Sequence, residues 1–391
     1  MSVFAISTSL EKRKWSWASF ASAPSERFKA GNAGPLLQEA GRTSKVASGY
    51  DGGYNWHVIT ERVGRDDQLG GAMLLRLENG VRAVRLQSCG GVDALVVLDR
   101  AMDVAHCAFG GVPLVWHGPG GIQPPHPGTM NDDTFERSFF GGLVTTCGLD
   151  AFGPAGSDAD GSWGQHGHVN HCAAEDIEVR VDIESEDAFV TLRGVIRQAR
   201  MFGESLRLDR TWTMSRDGTE LRLNDRVTNE GGTQVPHMLL YHCNAGYPLL
   251  DESTRVSISQ IGMRPRDEQA RAGLEVWDCG APPDPQFKEQ VFIHDPSADE
   301  RGWATARIEN RERGLWFEVA FRPDQLPACF SWRMLGVRRY VMAVEPANCP
   351  TIAGRVAARE AGTLPTLAAG ESREYQLVFR FGEQKDKPVH V

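Results

Sequence analysis

The stretch LRLDRTWTMSRDGTELRLNDRV, residues 206–227, decides the fold of this chain. On each side of Asp217 and Gly218, apolar and polar residues alternate with a period of two, as they do in a strand with one buried face. Asp-Gly between two such runs is a strong signal for a hairpin turn. The stretch therefore predicts two antiparallel strands joined by a tight turn.

The same alternation recurs from about residue 57 to the end of the chain. MLLRLENGVRAVRLQSCGG, EVRVDIESEDAFVTLRGVIRQARM and REYQLVFRF all show it, and turn-forming Gly, Asp and Asn separate the runs. Sustained helical periodicity is nearly absent, and no clear break in composition follows residue 57. We predict an all-β protein in which residues 57–391 form one large antiparallel β-sandwich with few helices.

Residues 1–56 differ from the rest of the chain in composition. They are rich in Ser, Ala, Gly and basic residues, and their aromatic anchors include Trp15, Trp17 and Phe20. No chemistry-bearing motif stands out among them. We predict an N-terminal extension that docks through its aromatic side chains.

Composition and charge narrow the classes of function. The net charge is −9 and the pI is near 5.7, which argues against a nucleic-acid partner because such proteins usually carry a basic face. No apolar run is long enough to span a membrane. The N-terminus lacks a signal-peptide pattern, and the eight cysteines are scattered without a CxxC pair. We therefore predict reduced thiols and a cytoplasmic location.

A histidine-rich loop is the strongest candidate for a functional site. Residues 141–171 read GGLVTTCGLDAFGPAGSDADGSWGQHGHVNH, in which Leu143–Leu149 predicts an apolar strand before a glycine-rich loop. If the segment after Gly167 is extended, the first two histidines share one face, because strand side chains alternate. Three imidazoles close the loop: His166, His168 and His171.

Two later segments add ionisable residues to apolar strands. VPHMLLYHCNAGYPLLDE carries His242, Asn244 and Tyr247, with His237 at its entry. YVMAVEPANCP places Glu345 at the end of an apolar run, where an inward-facing carboxyl is desolvated and its pKa is raised toward that of a general base. The alternative is a solvated strand-end glutamate.

Two arginines are candidate donors to substrate oxygens, because a guanidinium suits paired acceptors. Arg100 lies in LDRAMD, where the alternative is a surface ion pair with Asp103. Arg137 precedes two phenylalanines and two glycines that permit close approach of a ligand or form a bulge.

The order of these motifs resembles that of the galactose-mutarotase-like superfamily. GGLVTTCGLD, YHCNAGYPLL and YVMAVEPAN are similar to segments in a branch of aldose 1-epimerase-like proteins with mostly unassigned substrates, and the resemblance covers about residues 60–385. It implies a β-supersandwich, a small-molecule sugar as partner, and exchange of sugar anomers by ring opening and closure. It implies no cofactor.

The resemblance also implies roles for individual residues. Glu345 would take the proton from the anomeric hydroxyl, His242 would protonate the ring oxygen, and His166 would bind an oxygen near the anomeric centre. His237 is the alternative to His242 as the acid. Five further residues are predicted to bind substrate: Arg100, Arg137, His168, Asn244 and Tyr247.

Two other functions stay open at this stage. The additional imidazoles suit a metal-assisted isomerase or lyase of sugars or keto-sugars, in which a divalent metal has ligands among His166, His168, His242 and Glu345. The second open function is that of a carbohydrate-binding protein without catalytic activity, because a fold does not determine function. The identity of the sugar and the oligomeric state are not predicted.

Overall fold

The structure is a computed structural model, and it describes residues 63–126 and 133–383. The predicted N-terminal extension, residues 1–56, lies outside the described residues. None of the helices described is long and apolar enough to cross a membrane. All eight cysteines are free thiols, as predicted, and five of them are buried.

Strands dominate the described chain, and its helices are short. Single turns of 3-10 helix lie at Asp66–Leu69, Val169–His171 and Leu274–Val276. The α-helices are α1 (Thr134–Ser138), α2 (Glu268–Arg271) and α3 (Arg355–Glu360). The strands are β1 (Gly70–Arg76), β2 (Arg82–Ser88), β3 (Val92–Val97), β4 (Asp103–Phe109), β5 (Val112–Pro113), β6 (Thr145–Cys147), β7 (Gly156–Asp158), β8 (Gly161–Trp163), β9 (Ala174–Val181), β10 (Val190–Ala199), β11 (Ser205–Met214), β12 (Glu220–Asn229), β13 (Val235–Pro236), β14 (Leu240–Ala245), β15 (Thr254–Ile258), β16 (Gln260–Pro265), β17 (Gln290–Pro296), β18 (Ala304–Asn310), β19 (Leu315–Phe321), β20 (Ala328–Gly336), β21 (Arg339–Ala347), β22 (Thr366–Leu367) and β23 (Ser372–Glu383).

Three large sheets carry the architecture. The order is β15-β18-β19-β23-β12-β11-β10-β9 in an eight-stranded sheet, β16-β17-β20-β21-β14-β6 in a six-stranded sheet, and β1 to β5 in sequence in a five-stranded sheet. Neighbouring strands in these sheets run antiparallel. The predicted all-β architecture of antiparallel sheets with few helices is confirmed.

The hairpin predicted around Asp217 and Gly218 is present. β11 pairs with β12 in a register that sets Met214 opposite Leu221, and Gly218 has a φ of +64°. Buried and half-buried positions alternate along the whole of β11. Periodicity of the side chains therefore specified both the strands and the face that each one buries.

The main core lies between the eight-stranded sheet and the other two large sheets, and a buried ionic cluster ties strands together inside it. Arg210 on β11 forms ion pairs of 2.7 Å with Asp103 and with Asp225, and all three side chains are inaccessible to solvent. The hydroxyl of Tyr241 donates to Asp225 at 2.8 Å. These contacts fix β14 relative to the opposite sheet, because a buried charge stays only where its partners are held.

Candidate active site

Strand alternation turns two of the predicted residues toward the outer face of the six-stranded sheet. Tyr241 and Cys243 belong to the main core, so His242 between them on β14 points the other way. Val344 is likewise in the core, and the next residue of β21, Glu345, faces the same side as His242. The antiparallel pairing of β14 with β21 brings the two side chains together.

This outer face forms the floor of an open pocket of about 810 Å³. That volume lies within the range of small-molecule sites. Helix α1 and the loop before β17 supply parts of its walls, as do residues 153–155 and 352–353. The polar and aromatic residues around it include Phe135, Phe139, Gln165, His166, His242, Arg266, Glu289, Trp332 and Glu345.

Glu345 and His242 make the central contact of the pocket. Glu345 Oε1 lies 3.3 Å from His242 Nε2, and only about one twentieth of either side chain is exposed, 4% and 6%. Burial raises the pKa of Glu345 to about 8, the charge of Glu289 adds to the rise, and Arg266 opposes it. Burial, together with the neighbouring His166, lowers the pKa of His242 to about 3. Near pH 7 the pair is therefore a neutral carboxyl beside a neutral imidazole.

His166 enters the pocket from a left-handed turn. Its φ is +58°, and Gly167 follows at +76°, where a Cβ atom would lie 2.3 Å from the carbonyl oxygen of Ala151. The His166 ring centroid is 6.0 Å from that of His242, and burial lowers the pKa of His166 to about 4.

The expectation of an extended segment after Gly167 is wrong, because a 3-10 turn, Val169–His171, follows it. The His168 ring therefore lies 6.3 Å from that of His171, outside the pocket lining. His171 is buried, and it accepts from the backbone N–H of His126 and contacts the Ser138 hydroxyl. Of the three imidazoles, the pocket receives only that of His166.

A polar rim that sequence reasoning missed lies beside the central pair. Glu289 pairs with Arg266 at 2.9 Å and accepts from the indole N–H of Trp332 at 3.0 Å. The Trp332 ring stands edge-on to His242 with centroids 5.3 Å apart. The pairing of β17 with β16 on one side and with β20 on the other brings these residues together, and no local motif signals it.

Arg100 and Arg137 were predicted to bind substrate, and neither lines the pocket. Arg100 is fully buried and donates to the carbonyl oxygens of Asn170, Gln123 and Ser138, which is a structural role. Arg137 is exposed on α1, and it forms an ion pair with Asp133.

Asn244 and Tyr247, also predicted to bind substrate, lie outside the lining as well. Asn244 is fully buried on β14, where its amide donates to the backbone carbonyl oxygens of Gly142 and His242. Tyr247 is 56% exposed, and its ring lies 5.3 Å from the Arg313 guanidinium carbon.

The structure separates the two candidates for the acid. His237 is fully buried, and its ring contacts the Leu149 carbonyl oxygen and the Tyr375 hydroxyl, at 2.9 and 2.7 Å. Both nitrogens are thus occupied inside the protein, whereas His242 reaches the pocket.

A metal would need several ligands in one place. Of the ligands considered from the sequence, His166, His242 and Glu345 line the pocket and His168 does not. Among residues 63–126 and 133–383, no group of three or more His, Cys, Asp or Glu side chains is arranged to hold a metal ion. What the pocket offers is proton transfer between neutral groups beside an aromatic wall.

The fold defines the class of protein. A putative aldose 1-epimerase from Klebsiella pneumoniae is similar over 81% of this chain and 83% of its own, with a TM-score of 0.72 and 20% identity. A galactose mutarotase-like protein from Clostridium acetobutylicum is 14% identical over 81% of this chain and all of its own, with a TM-score of 0.58. At these identities the likeness establishes the fold alone, which is that of the galactose-mutarotase-like β-sandwiches.

The family follows from the sequence itself. The chain belongs to the family described as Domain of unknown function (DUF4432), whose model matches residues 78–381. A galactose mutarotase related enzyme from Lactobacillus acidophilus is another structure with this fold, 11% identical over 82% of this chain and all of its own, with a TM-score of 0.53. Comparison with curated proteins finds no match.

Proposed function

We propose that this protein interconverts the anomers of a free aldose by opening and closing the sugar ring. One observation carries the proposal: Glu345 and His242 lie 3.3 Å apart in the floor of an open pocket of about 810 Å³. The fold that presents them is shared with a protein named as a putative aldose 1-epimerase and with one named as galactose mutarotase-like. The substrate is a small-molecule sugar.

Ring opening requires two proton transfers at one C–O unit. The anomeric hydroxyl loses a proton while the ring oxygen gains one, and the ring closes again after rotation of the aldehyde. A buried carboxyl and a buried imidazole in contact can carry out both transfers, one group giving a proton to the sugar while the other takes one from it. The pocket then gains no net charge. We assign these transfers to Glu345 and His242, with His166 near the same centre.

The remaining lining suits a hydroxylated ring. Trp332 offers an apolar face, and the bond from its indole N–H to Glu289 holds that face in one orientation. Glu289 and Arg266 provide acceptors and donors for hydroxyl groups at the rim. The loop that carries Gln165 and His166 closes the other side.

Polarimetry with a panel of freshly dissolved aldoses tests the proposal. We expect the protein to accelerate mutarotation of at least one sugar, and we expect Glu345→Gln and His242→Ala to lower that rate at least about a hundredfold each. Arg137→Gln, outside the pocket on the same helix that lines it, is the control and keeps full activity. Unchanged rates in both pocket variants would overturn the mechanism.

The same assay tests the metal-dependent alternative. We propose that no cofactor takes part, so the rate after exhaustive treatment with EDTA should equal the untreated rate. A loss that manganese or zinc restores would instead support a metal-assisted isomerase or lyase.

A further inference from the structure

The floor of the pocket extends along two neighbouring strands. Glu345 and Arg339 both belong to β21, and both line the pocket. Arg339 comes six residues before Glu345, so the two side chains leave the same face of the sheet at points about 20 Å apart. The pairing of β20 with β21 keeps one register between these positions, without a bulge. The floor is therefore about six strand residues long.

Two side chains of β20 cover the floor between those points. In the register of β20 with β21, Trp332 lies one step of two residues from the position of Glu345, and Met334 lies two such steps away. Each step is about 7 Å. Both side chains line the pocket. A pyranose ring with its hydroxyl groups is about as long as one step, so a single sugar at Glu345 would leave the floor at Met334 and Arg339 uncovered.

The end of the pocket at Glu345 is closed. The side chains of Glu345 and His242 are only 4% and 6% exposed. The Phe139 ring stands edge-on to His242, with centroids 5.0 Å apart. Next to the pair, Phe330 and Ala347 belong to a buried apolar cluster that also includes Phe139. The floor therefore ends in packed side chains at this pair.

The other end of the pocket is polar and open. Arg266 and Glu289 are 31% and 51% exposed there, and Arg339 is exposed as well. The Arg266 guanidinium donates to Asp267 and to Glu289. By contrast, the Arg339 guanidinium forms no hydrogen bond or ion pair within residues 63–126 and 133–383. Its donors are therefore available to oxygen atoms of a ligand.

We infer that the pocket binds the reducing end of an oligosaccharide of two or more units. In such a chain only the unit at one end has a free anomeric hydroxyl, and that unit fits the closed end of the pocket, between Glu345 and Trp332. The next unit lies over Met334, where Arg339 donates hydrogen bonds to its oxygen atoms. This inference rests on the proposed function and names its substrate class, reducing disaccharides and longer chains.

Polarimetry with matched sugars tests the inference. Each free aldose is compared with reducing disaccharides that end in the same aldose: glucose with maltose, cellobiose and lactose, and xylose, mannose and galactose with xylobiose, mannobiose and galactobiose. We expect kcat/KM to be at least about tenfold higher for the disaccharide in at least one pair. Equal or lower values for the disaccharide in every pair would overturn the inference and leave the proposed function intact.

Two neighbouring arginines test where the second unit binds. Arg339→Asn should lower the ratio of disaccharide to monosaccharide kcat/KM at least about fivefold, mainly through a higher KM for the disaccharide. Arg338→Asn is the matched control, because Arg338 is exposed outside the pocket lining and asparagine tolerates its φ of +61°. It should leave the ratio unchanged. An equal fall in both variants, or no fall in Arg339→Asn, would overturn the placement of the second unit at Arg339.

Binding measurements separate this inference from the proposed function. Isothermal titration calorimetry with the same pairs of sugars measures affinity without turnover. A protein that accelerates no mutarotation, yet binds a disaccharide at least about tenfold more tightly than its monosaccharide, would contradict the proposed function alone. Mutarotation of monosaccharides without a preference for disaccharides in either assay would contradict the inference alone. Neither activity nor a preference in binding would overturn both.

Discussion

Burial of the Glu345 carboxyl lowers the stability of the protein at neutral pH. Burial raises its folded pKa to about 8, whereas an unfolded glutamate has a pKa near 4.3. Between these two pH values the carboxyl is ionised in the unfolded chain but not in the folded protein. The free energy of unfolding therefore falls as pH rises through this range. Glu345→Gln removes this effect, so we expect the variant to be more stable at pH 7 by roughly 3 kcal/mol in urea unfolding while losing activity.

Glu289→Gln is the control for that prediction. Glu289 lies at the rim with half of its side chain exposed, and its ion pair with Arg266 is partly solvated. Its loss should change the free energy of unfolding by less than about 1 kcal/mol. Equal effects of the two substitutions would show that burial of Glu345 does not cost stability.

At the level of single residues, the sequence predicted the pocket where chemistry and periodicity agreed. Glu345 and His242 are ionisable residues inside apolar strands, which singled them out as candidates, although only the pairing of β14 with β21 brings them together. His168 shows the limit, because positive φ values at residues 166 and 167 and the 3-10 turn after them replace the alternation of an extended strand. Glu289 depends on the register between β17 and β20, which no single segment encodes.

At the level of elements, helix α3 determines how one wall of the pocket is held. Arg355, its first residue, is buried and forms ion pairs with Asp150, Asp158 and Asp160 at 2.8 to 3.0 Å. These ion pairs tie the start of α3 to the chain around residues 150–160. The neighbouring segments 153–155 and 352–353 both line the pocket. Arg355→Ala leaves a buried carboxylate without its partner, so we expect a loss of about 3 to 5 kcal/mol in unfolding free energy and a several-fold higher KM.

Arg359 provides a matched control on the same helix. It pairs with two of the same carboxylates, Asp158 and Asp160, but half of its side chain is exposed. Arg359→Ala should cost less than about 1 kcal/mol and leave KM unchanged. A similar loss in both variants would mean that the number of ion pairs, and not burial, stabilises this wall.

Strands were predicted best where apolar and polar residues alternate most regularly. β11 and β12 were predicted because ten residues alternate on each side of a tight turn. The predicted strand Leu143–Leu149 is shorter in the structure, where β6 covers Thr145–Cys147. Glycines at 142 and 148 adopt φ values of +77° and +140° and leave the strand conformation, so an apolar run alone overstated its length.

For the molecule as a whole, two sets of buried neutral groups act on stability in opposite directions as pH changes. His237 and His294 have pKa values lowered to about 4 by burial. Unfolded histidines titrate near 6.5, so the unfolded chain binds protons between pH 6.5 and 4 that the folded chain does not, and stability is lost as pH falls through that window. A buried carboxyl with a raised pKa, such as that of Glu345, makes the protein more stable as pH falls from about 8 toward 4.3.

Two substitutions measure separately how the buried histidines and the buried carboxyl affect the free energy of unfolding. His294→Gln should be less stable than wild type at pH 7.5, because His294 contacts Gln260 and Ser331, but this deficit should shrink by about 2 kcal/mol at pH 5. The advantage of Glu345→Gln should also shrink toward pH 5, because the pH then approaches the unfolded pKa of about 4.3 and ionisation of the unfolded carboxyl stabilises the unfolded chain less. Urea unfolding across this range measures both differences. A deficit of His294→Gln that is independent of pH would mean that the folded protein accepts a proton at His294 as readily as the unfolded chain does.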